Sequence, residues 1–364
     1  MKISDVILHL EKQFPLAQQA DFDNCGLLIG DKNHVVNGVL ISLDCTEEVV
    51  DEAIELGVNL IISHHPIIFK GLKKITGSTS IEKIIIKAIQ SNVALYAIHT
   101  NLDHSIKGVN FEIGERLGIE FPKILQPIVG ILSKLSVYVP VSHVEIVKNT
   151  LFNAGAGHIG DYSECSYSTE GTGTFMPEEG SNPFDGEIGK RTTINEIKIE
   201  VLVNNHLLKN VIDEMLDVHP YEEVAYEVIE LKNQNQYVGS GMVGDLSEPM
   251  DEFTFLAKLK KIFQCGSIRH TQLKGKPIQR VAFCGGAGSF LLRDALAHNA
   301  DIFITGDFKY HEFFDAENMI VIADIGHYES EQFTTELIYR NLTEKFVNFA
   351  IHKTTINTNP INYF

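Results

Sequence analysis

Residues 59–66 read NLIISHHP, a short apolar run of strand length that is followed at once by two histidines. Five further runs have the same length and the same lack of polar–apolar alternation, as strands buried on both faces require. They are Gly38–Asp44 (GVLISLD), Ala94–His99 (ALYAIH), Arg280–Cys284 (RVAFC), Asp301–Thr305 (DIFIT) and Met319–Asp324 (MIVIAD). Because helical patterns alternate with these runs, the sequence predicts an α/β domain with a parallel or mixed sheet and flanking helices.

This alternation is interrupted in the middle of the chain. There, half-exposed strand patterns and two helical patterns follow one another in the order strand, helix, strand, strand, helix, strand. That order is typical of a ferredoxin-like α+β unit. We therefore predict a discontinuous outer domain, residues 1–125 and 238–364, and an inserted domain at residues 126–237.

Composition and charge restrict the classes of function. The 364 residues are 44% hydrophobic and 21% charged, as in an ordinary globular protein. The formal net charge of −18 opposes binding to nucleic acid, and no stripe of lysine and arginine offsets it. The five cysteines form no C-x-x-C pair, and no apolar run reaches membrane-spanning length. Because the first residues lack the apolar core and cleavage site of a signal peptide, we expect none. We expect a cytoplasmic protein with reduced thiols that binds neither nucleic acid nor membrane.

Side chains of the kind that ligate metals follow four of the six predicted strands. In open α/β sheets, ligands bind beyond the carboxyl ends of the strands, so residues at these positions are expected to converge. Imidazole and carboxylate groups are ligands for zinc, iron and manganese. The candidates are His64, His65, His99, Asp103, Asp307, His311, His327 and Glu331.

Five of these candidates favour a pair of ions. His64, His65, Asp103, His327 and Glu331 are too many for one tetrahedral ion and too few to fill two sites, which suits two ions that share a bridging carboxylate. His327 and Glu331 are four residues apart, so a helix would place them on one face. Taken singly, a histidine at a strand end is more often a capping or buried hydrogen-bonding residue, and an H-x-x-x-E pair is usually a solvated helix face.

Six segments carry a more specific pattern: Asp23–Gly30 (DNCGLLIG), Ser63–Thr76 (SHHPIIFKGLKKIT), His99–Asn110 (HTNLDHSIKGVN), Gly285–Ser289 (GGAGS), Ala300–Glu312 (ADIFITGDFKYHE) and Asp324–Glu331 (DIGHYESE). Together they resemble the YbgI/YqfO-like di-metal family, whose members are named GTP cyclohydrolase I type 2 homologues. The resemblance covers both outer segments. It implies two divalent ions per chain, zinc or iron, held by His64, His65, Asp103, His327 and Glu331 at an internal cavity of a homohexameric ring.

The middle of the chain carries a resemblance of its own. Gly171–Phe175 (GTGTF) and His219–Tyr226 (HPYEEVAY) are similar to the insert of the longer YqfO-like members, which resembles PII- and CutA-like ferredoxin folds. Met176–Lys190 is predicted to be an exposed loop. The motif His219–Glu223 (HPYEE) could recognise a ligand, although a turn before a strand explains it equally well.

Two classes of function fit these residues. The first is a metal-dependent hydrolase, in which two ions lower the pKa of a shared water and stabilise an oxyanion. The resemblance makes the substrate GTP, with attack at C8 and release of formate, and phosphoester hydrolysis is the alternative within this class. The second is a non-catalytic metal-binding or regulatory scaffold, in which the insert acts as a sensor or docking part.

The supporting residues are less specific. His99, Asp307 and His311 are expected to orient the metal-bound imidazoles, and no acid–base pair can be assigned. The lysines after the paired histidines either bind phosphate or are solvated surface residues. Gly285–Ser289 either cradles an anion or, as we favour, forms a tight turn. The lysines in question are Lys70, Lys73 and Lys74.

Overall fold

The computed structural model describes every residue from Met1 to Phe364 and contains fifteen strands and eleven α-helices. The strands are β1 (Gly26–Ile29), β2 (Val39–Ser42), β3 (Leu60–Ser63), β4 (Ala94–Ala97), β5 (Ile119–Val129), β6 (Leu132–Pro140), β7 (Ser166–Phe175), β8 (Thr192–Asn204), β9 (Tyr226–Leu231), β10 (Gln234–Met250), β11 (Arg269–His270), β12 (Ile278–Ala287), β13 (Ile302–Gly306), β14 (Val321–Asp324) and β15 (Ile351–Lys353). The helices are α1 (Ile3–Gln13), α2 (Glu47–Leu56), α3 (Ser80–Gln90), α4 (Thr100–Asp103), α5 (Val109–Leu117), α6 (Val144–Asn153), α7 (Leu208–Val218), α8 (Glu252–Ile262), α9 (Leu292–Ala297), α10 (His327–Glu331) and α11 (Thr334–Lys345).

The chain divides into two compact units. Unit 1 consists of residues 1–127 and 236–364, and unit 2 consists of residues 128–235. Unit 1 contains a five-stranded sheet in the order β1-β4-β3-β2-β15. The second sheet has the order β11-β14-β13-β12-β10-β5. Both are mixed sheets with a parallel centre, β2-β3-β4 in the first and β12-β13-β14 in the second.

The α/β class predicted from the sequence is confirmed, but the prediction of a single mixed sheet is wrong. The three early runs and the three late runs lie in different sheets. Each half of the chain also supplies one strand to the other half's sheet, since β15 pairs with β2 and β5 neighbours β10. Buried parallel strands have similar apolar sequences, so the runs themselves contain no information about which sheet each one joins.

The continuous apolar character of these strands has a direct cause, because both faces of each sheet are covered. In β2, Leu40 packs with the buried residues of α2 and α3, whereas its neighbour Ile41 belongs to a larger core. In β13, Phe303 packs towards α9 and Ile304 belongs to the same larger core as Ile41. That core also contains residues of α1, α5, α8 and α11, so these helices fill the space between the two sheets.

Unit 2 is built on one antiparallel sheet in the order β7-β8-β6-β9. Along the chain its elements follow the order β6, α6, β7, β8, α7, β9. One face of the sheet, including Val137 and Ile199, packs against Val147 of α6 and Val211 of α7. The similarity of this unit to PII- and CutA-like proteins stays a prediction.

No helix in the structure has both the length and the apolar character required to cross a bilayer. All five cysteines are free thiols, as expected from their scattered positions.

Candidate metal centre

The paired histidines extend β3 beyond its last residue. The backbone N–H groups of His64 and His65 donate to the carbonyls of Ser42 and Leu43 at 3.1 and 2.9 Å. This continues the parallel pairing of β3 with β2 and brings both imidazoles to the carboxyl edge of the sheet. The His64 ring is fully buried, and its Nδ1 donates to the carbonyl of Ile98 at 2.8 Å. Since a carbonyl only accepts, the neutral ring of His64 has its lone pair on Nε2.

Three other histidines have Nδ1 against a carboxylate oxygen. An ionised carboxylate accepts but does not donate, so each Nδ1 has the hydrogen and each neutral ring presents a lone pair at Nε2. Such partners are typical of histidines that ligate metals. The pairs are His65 with Asp44 at 2.7 Å, His99 with Asp23 at 2.9 Å, and His327 with Asp307 at 2.8 Å.

Glu331 lies where the histidines converge. Its Oε2 is 3.1 Å from Nε2 of both His65 and His327, and its Oε1 is 3.8 Å from Nε2 of His64. His64 Nε2 is also 3.6 Å from Oδ1 of Asp103. The Nε2 atoms of His65 and His327 are only 3.2 Å apart. One carboxylate therefore presents an oxygen to each of two groups of ligand-type side chains.

The polar atoms at this point lack partners that would explain their positions. His64 Nε2, Asp103 Oδ1 and Glu331 Oε2 are buried without a hydrogen bond. Glu331 Oε2 also lies 3.1 Å from two ring nitrogens, and these contacts are ion pairs when the rings are protonated. Burying polar atoms without partners costs free energy, and a cation among these three atoms would supply the missing partner. The residues present therefore fit divalent ions that accept nitrogen and oxygen ligands.

Three overlapping sets of side chains could each hold an ion. Within each set, the ligand atoms all lie within 4.8 Å of one another. Glu331 belongs to two sets, and so do both paired histidines, which is the arrangement expected of neighbouring sites that share ligands. The sets are His64 with His65 and His99, His65 with His327 and Glu331, and His64 with Asp103 and Glu331.

The carboxylates strongly favour positive charge at this point. Burial alone would lower the pKa of His65 and His327, but their hydrogen bonds to Asp44 and Asp307 and the charge of Glu331 raise these values to about 10 and about 11. Burial would likewise raise the pKa of Glu331, yet the surrounding histidines hold it well below its usual range. The same carboxylates would stabilise the positive charge of a bound cation.

The sequence matches one protein family over nearly its whole length. The model of the family DUF34/NIF3 (NGG1p interacting factor 3) matches residues 1–360. The chain belongs to the DUF34/NIF3 family. A GTP cyclohydrolase 1 type 2 homolog of Halalkalibacterium halodurans is 39% identical over 371 residues, covering all of both chains. The protein of the same name in Bacillus subtilis is 38% identical, covering 98% of this chain and 97% of the relative. The resemblance inferred from the six segments is thereby confirmed.

Solved structures agree with this assignment. A Bacillus cereus protein related to NIF3 is 38% identical to this DUF34/NIF3 chain, with a TM-score of 0.87. The match covers 100% of this chain and 99% of that structure. The match therefore extends over both units.

The five ligands predicted for this DUF34/NIF3 chain all belong to the three sets. Of the three residues expected to orient them, Asp307 contacts His327, whereas His99 lies within one set itself. His311 is exposed, belongs to no set, and its ring contacts that of Tyr310 at 5.1 Å.

Two carboxylates of this DUF34/NIF3 site are absent from the sequence-based prediction. Asp44 is the last residue of the first predicted strand run, so the strand-end rule that selected the histidines also applies to it. Its second oxygen accepts the hydroxyl of Thr358 at 2.7 Å. Asp23 precedes a strand rather than following one, and it contacts His99 across 76 residues. Only the pattern DNCGLLIG could have indicated it.

The glycines of the GGAGS motif are explained by close packing. The N–H groups of Gly285, Gly286 and Gly288 donate to side-chain oxygens within the protein at 3.0, 2.9 and 2.9 Å. Gly286 has φ +63°, and a Cβ there would lie 2.3 Å from Glu331 Oε1. These contacts favour the tight turn over the anion cradle, because three of the donors are already used and the glycine makes room for Glu331.

A cavity of about 490 Å³ adjoins the centre. His65 forms one side, and residues 66–72 with Ile81 form most of the rest. Its surface is mainly apolar, and Lys70 is the lysine that lines it. The ring of Phe69 also lies 6.3 Å from that of His99, so the cavity wall reaches a second histidine of the centre.

Proposed function

We propose that this chain is a metal-dependent hydrolase whose centre holds two divalent ions, zinc or iron, on His64, His65, Asp103, His327 and Glu331. The main support is the set of three buried, unpartnered atoms, His64 Nε2, Asp103 Oδ1 and Glu331 Oε2, at the point where three ligand sets overlap. Most buried side-chain polar atoms have a hydrogen-bond partner, so three unpartnered atoms of ligand type at one point support a bound ion.

Each residue has a role that follows from its contacts. Glu331 is the shared ligand, because Oε1 faces His64 and Oε2 faces His65 and His327. Asp44 and Asp307 hold the Nδ1 hydrogens, so that the Nε2 lone pairs point to the centre. When bound, the ions would supply Lewis acidity and make a water acidic enough to act as a nucleophile near neutral pH.

The neighbouring cavity is the proposed substrate site. It shares His65 with the centre, and its apolar walls suit a flat or apolar body, such as a nucleobase. The ammonium group of Lys70 suits an anionic substituent such as phosphate. GTP is the first substrate to test because close relatives are named GTP cyclohydrolase 1 type 2 homologs. A homohexamer in the cytoplasm remains our prediction for the assembly and its location.

A second function, a non-catalytic metal-binding or regulatory scaffold, is favoured by one specific observation. The side chain of His64 is 0% exposed and that of Glu331 is 2% exposed. Structural metal sites are closed in this way, whereas catalytic sites keep a position open to water or substrate.

Metal analysis followed by an activity screen separates the two functions. We expect natively purified protein to contain close to two ions per chain, and the reloaded protein to release formate from GTP or to cleave another nucleotide or phosphoester. Asp103→Ala should abolish that turnover, while Asp21→Ala, at an exposed aspartate outside the three sets, should not. Full metal content without any turnover would favour the scaffold, and the absence of tightly bound metal would contradict both functions.

A further inference from the structure

Unit 2 contains a cavity that the metal centre does not use. Its volume is about 320 Å³, and it lies between the end of β7, the loop at residues 176–190 and the segment that precedes β9. Three aromatic side chains line it, those of Phe175, Phe184 and Tyr221. Four carboxylates also line it, and no lysine, arginine or histidine does. They are Asp185, Glu196, Glu222 and Glu223.

Glu196 is held in a defined position at this cavity. Its Oε1 accepts a hydrogen bond from the hydroxyl of Tyr221 at 2.8 Å. Its other oxygen lies over Gly173, where a Cβ would be only 2.2 Å from Oε2. A residue with a side chain at Gly173 would displace this carboxylate. The second glycine of the GTGTF motif therefore makes room for Glu196.

The HPYEE motif positions Tyr221 through a buried histidine. His219 Nε2 lies 3.1 Å from the carbonyl of Tyr138, so Nε2 donates. The other ring nitrogen, Nδ1, then accepts the backbone N–H of Tyr221 at 3.2 Å. Burial lowers the pKa of His219, which favours the neutral ring that this arrangement requires. The motif is thus more than a turn, because it sets the position of one wall of the cavity.

The loop predicted at residues 176–190 is folded against the same cavity. The N–H of Gly189 donates to the carbonyl of Pro177 at 2.8 Å and closes the neck of the loop. The N–H of Asn182 donates to Glu222 at 2.8 Å, and Phe184 contacts the ring of Tyr221 at 5.8 Å. Compact surface loops whose ends lie close together are frequently functional.

The charge and spacing of the lining side chains indicate the class of ligand. The pKa of Tyr221 is raised by burial, by its hydrogen bond to Glu196 and by the charges of Glu196 and Asp185. Unlike the ligands of unit 1, these carboxylates do not form a set close enough to hold one metal ion. Aromatic faces attract organic cations, and carboxylates form charge-assisted hydrogen bonds with them.

We propose that this cavity binds a small organic cation, an ammonium or guanidinium-type group attached to an apolar body. The carboxylate of Glu196 accepts hydrogen bonds from the cationic group, and the rings of Phe184 and Tyr221 contact the apolar part. The volume limits the ligand to a small molecule.

Calorimetric titration of the full-length protein tests this site. The probes are benzylamine, benzamidine and the neutral analogue benzyl alcohol. We expect both cations to bind with saturation and benzyl alcohol to bind at least about tenfold more weakly, since a charge-assisted hydrogen bond is lost. Stronger binding of benzylamine would identify an ammonium ligand, and stronger binding of benzamidine an amidinium or guanidinium ligand.

Two variants locate the binding. Glu196→Gln should weaken binding of the cations about tenfold, whereas Glu187→Gln, at an exposed glutamate that pairs with Lys190 outside the cavity, should leave it unchanged. Unchanged thermal melting of both variants would show that the loss is local. Equal affinity for benzyl alcohol, no saturation at millimolar cation, or full affinity in Glu196→Gln would each overturn the proposal.

Discussion

The two units both gather carboxylates, but they do so in opposite ways. In unit 1, the oxygens of Asp103 and Glu331 are buried and converge with imidazole nitrogens to within a few ångströms. In unit 2, carboxylates line a cavity beside aromatic rings, and no three of them converge as a metal-binding set does. Convergent, desolvated ligands suit a metal ion, whereas separated carboxylates with aromatic neighbours suit an organic cation. The spacing of the acidic groups, rather than their number, distinguishes the two kinds of site.

The largest effect is expected when the shared ligand of unit 1 is changed. Glu331→Gln removes the charge that two ligand sets have in common, so both ions should be lost. The affinity for metal should fall by more than about 100-fold, which exceeds the effect of changing the partners of ligands. Metal analysis after native purification measures this loss. Glu329→Gln, at a buried glutamate of the same helix outside the sets, should retain the metal, and retention in Glu331→Gln would contradict the shared role.

Removal of the ions should destabilise the protein. At free metal 100 times the dissociation constant, bound metal contributes about 2.7 kcal/mol to the free energy of unfolding. Thermal melting with and without a chelator measures the difference, and we expect a lower melting temperature for the chelated protein. Glu331→Gln is the control, because it should no longer respond to the chelator. Identical melting curves for the wild-type protein with and without chelator would mean that its ligands do not need an ion.

The partner of a ligand should matter less than the ligand itself. Asp307→Asn weakens the acceptor that fixes the Nδ1 hydrogen of His327, and metal affinity should fall by roughly 10- to 100-fold. Competition with a metal-binding dye measures the affinity. Asp315→Asn, at an exposed aspartate outside the three sets, should have no effect. Equal affinities in the two variants would show that Asp307 does not orient the histidine.

The smallest effect is expected in unit 2. Phe184→Leu keeps an apolar side chain in the cavity but removes the aromatic face, so affinity for benzylamine should fall about threefold. Calorimetry on the full-length protein detects this change. Tyr162→Leu, which alters an exposed aromatic residue outside the cavity, should bind as the wild type does. If Phe184→Leu binds benzylamine with unchanged affinity, the ring is only a wall and the carboxylates alone recognise the cation.

The sequence contains enough information for the fold class and for part of the site. Apolar runs identified the buried strands, because burial on both faces demands that composition. His64 and His65 could be selected because they directly follow β3, where parallel strands place their ligands. The partition into two sheets could not be predicted in this way, because β3 and β13 are equally apolar and pair only through backbone groups.

The residues that orient the histidines were harder to predict for a different reason. His64 uses the carbonyl of Ile98, and every residue has a carbonyl, so no sequence signal exists for this contact. Asp23 meets His99 only after the chain has folded. His311 follows Asp307 by four residues, and a regular helix would place the two side chains on one face. The backbone differs from such a helix, because Asp307 has φ +58° and a 3₁₀ segment follows it. The cavity of unit 2 could not be predicted either. The loop at residues 176–190 forms part of its wall, and the polar sequence of that loop indicates only that it is exposed.

The separation of 262 residues between His65 and His327 also bears on biogenesis. A ribosome completes the paired histidines early, then the whole of unit 2, and only near the end of translation the short helix that contains His327 and Glu331. A nascent chain therefore exposes an incomplete set of donors for most of its synthesis. Under the proposed function, loading of the centre would be a late event, and a truncated product that lacks α10 would bind metal poorly.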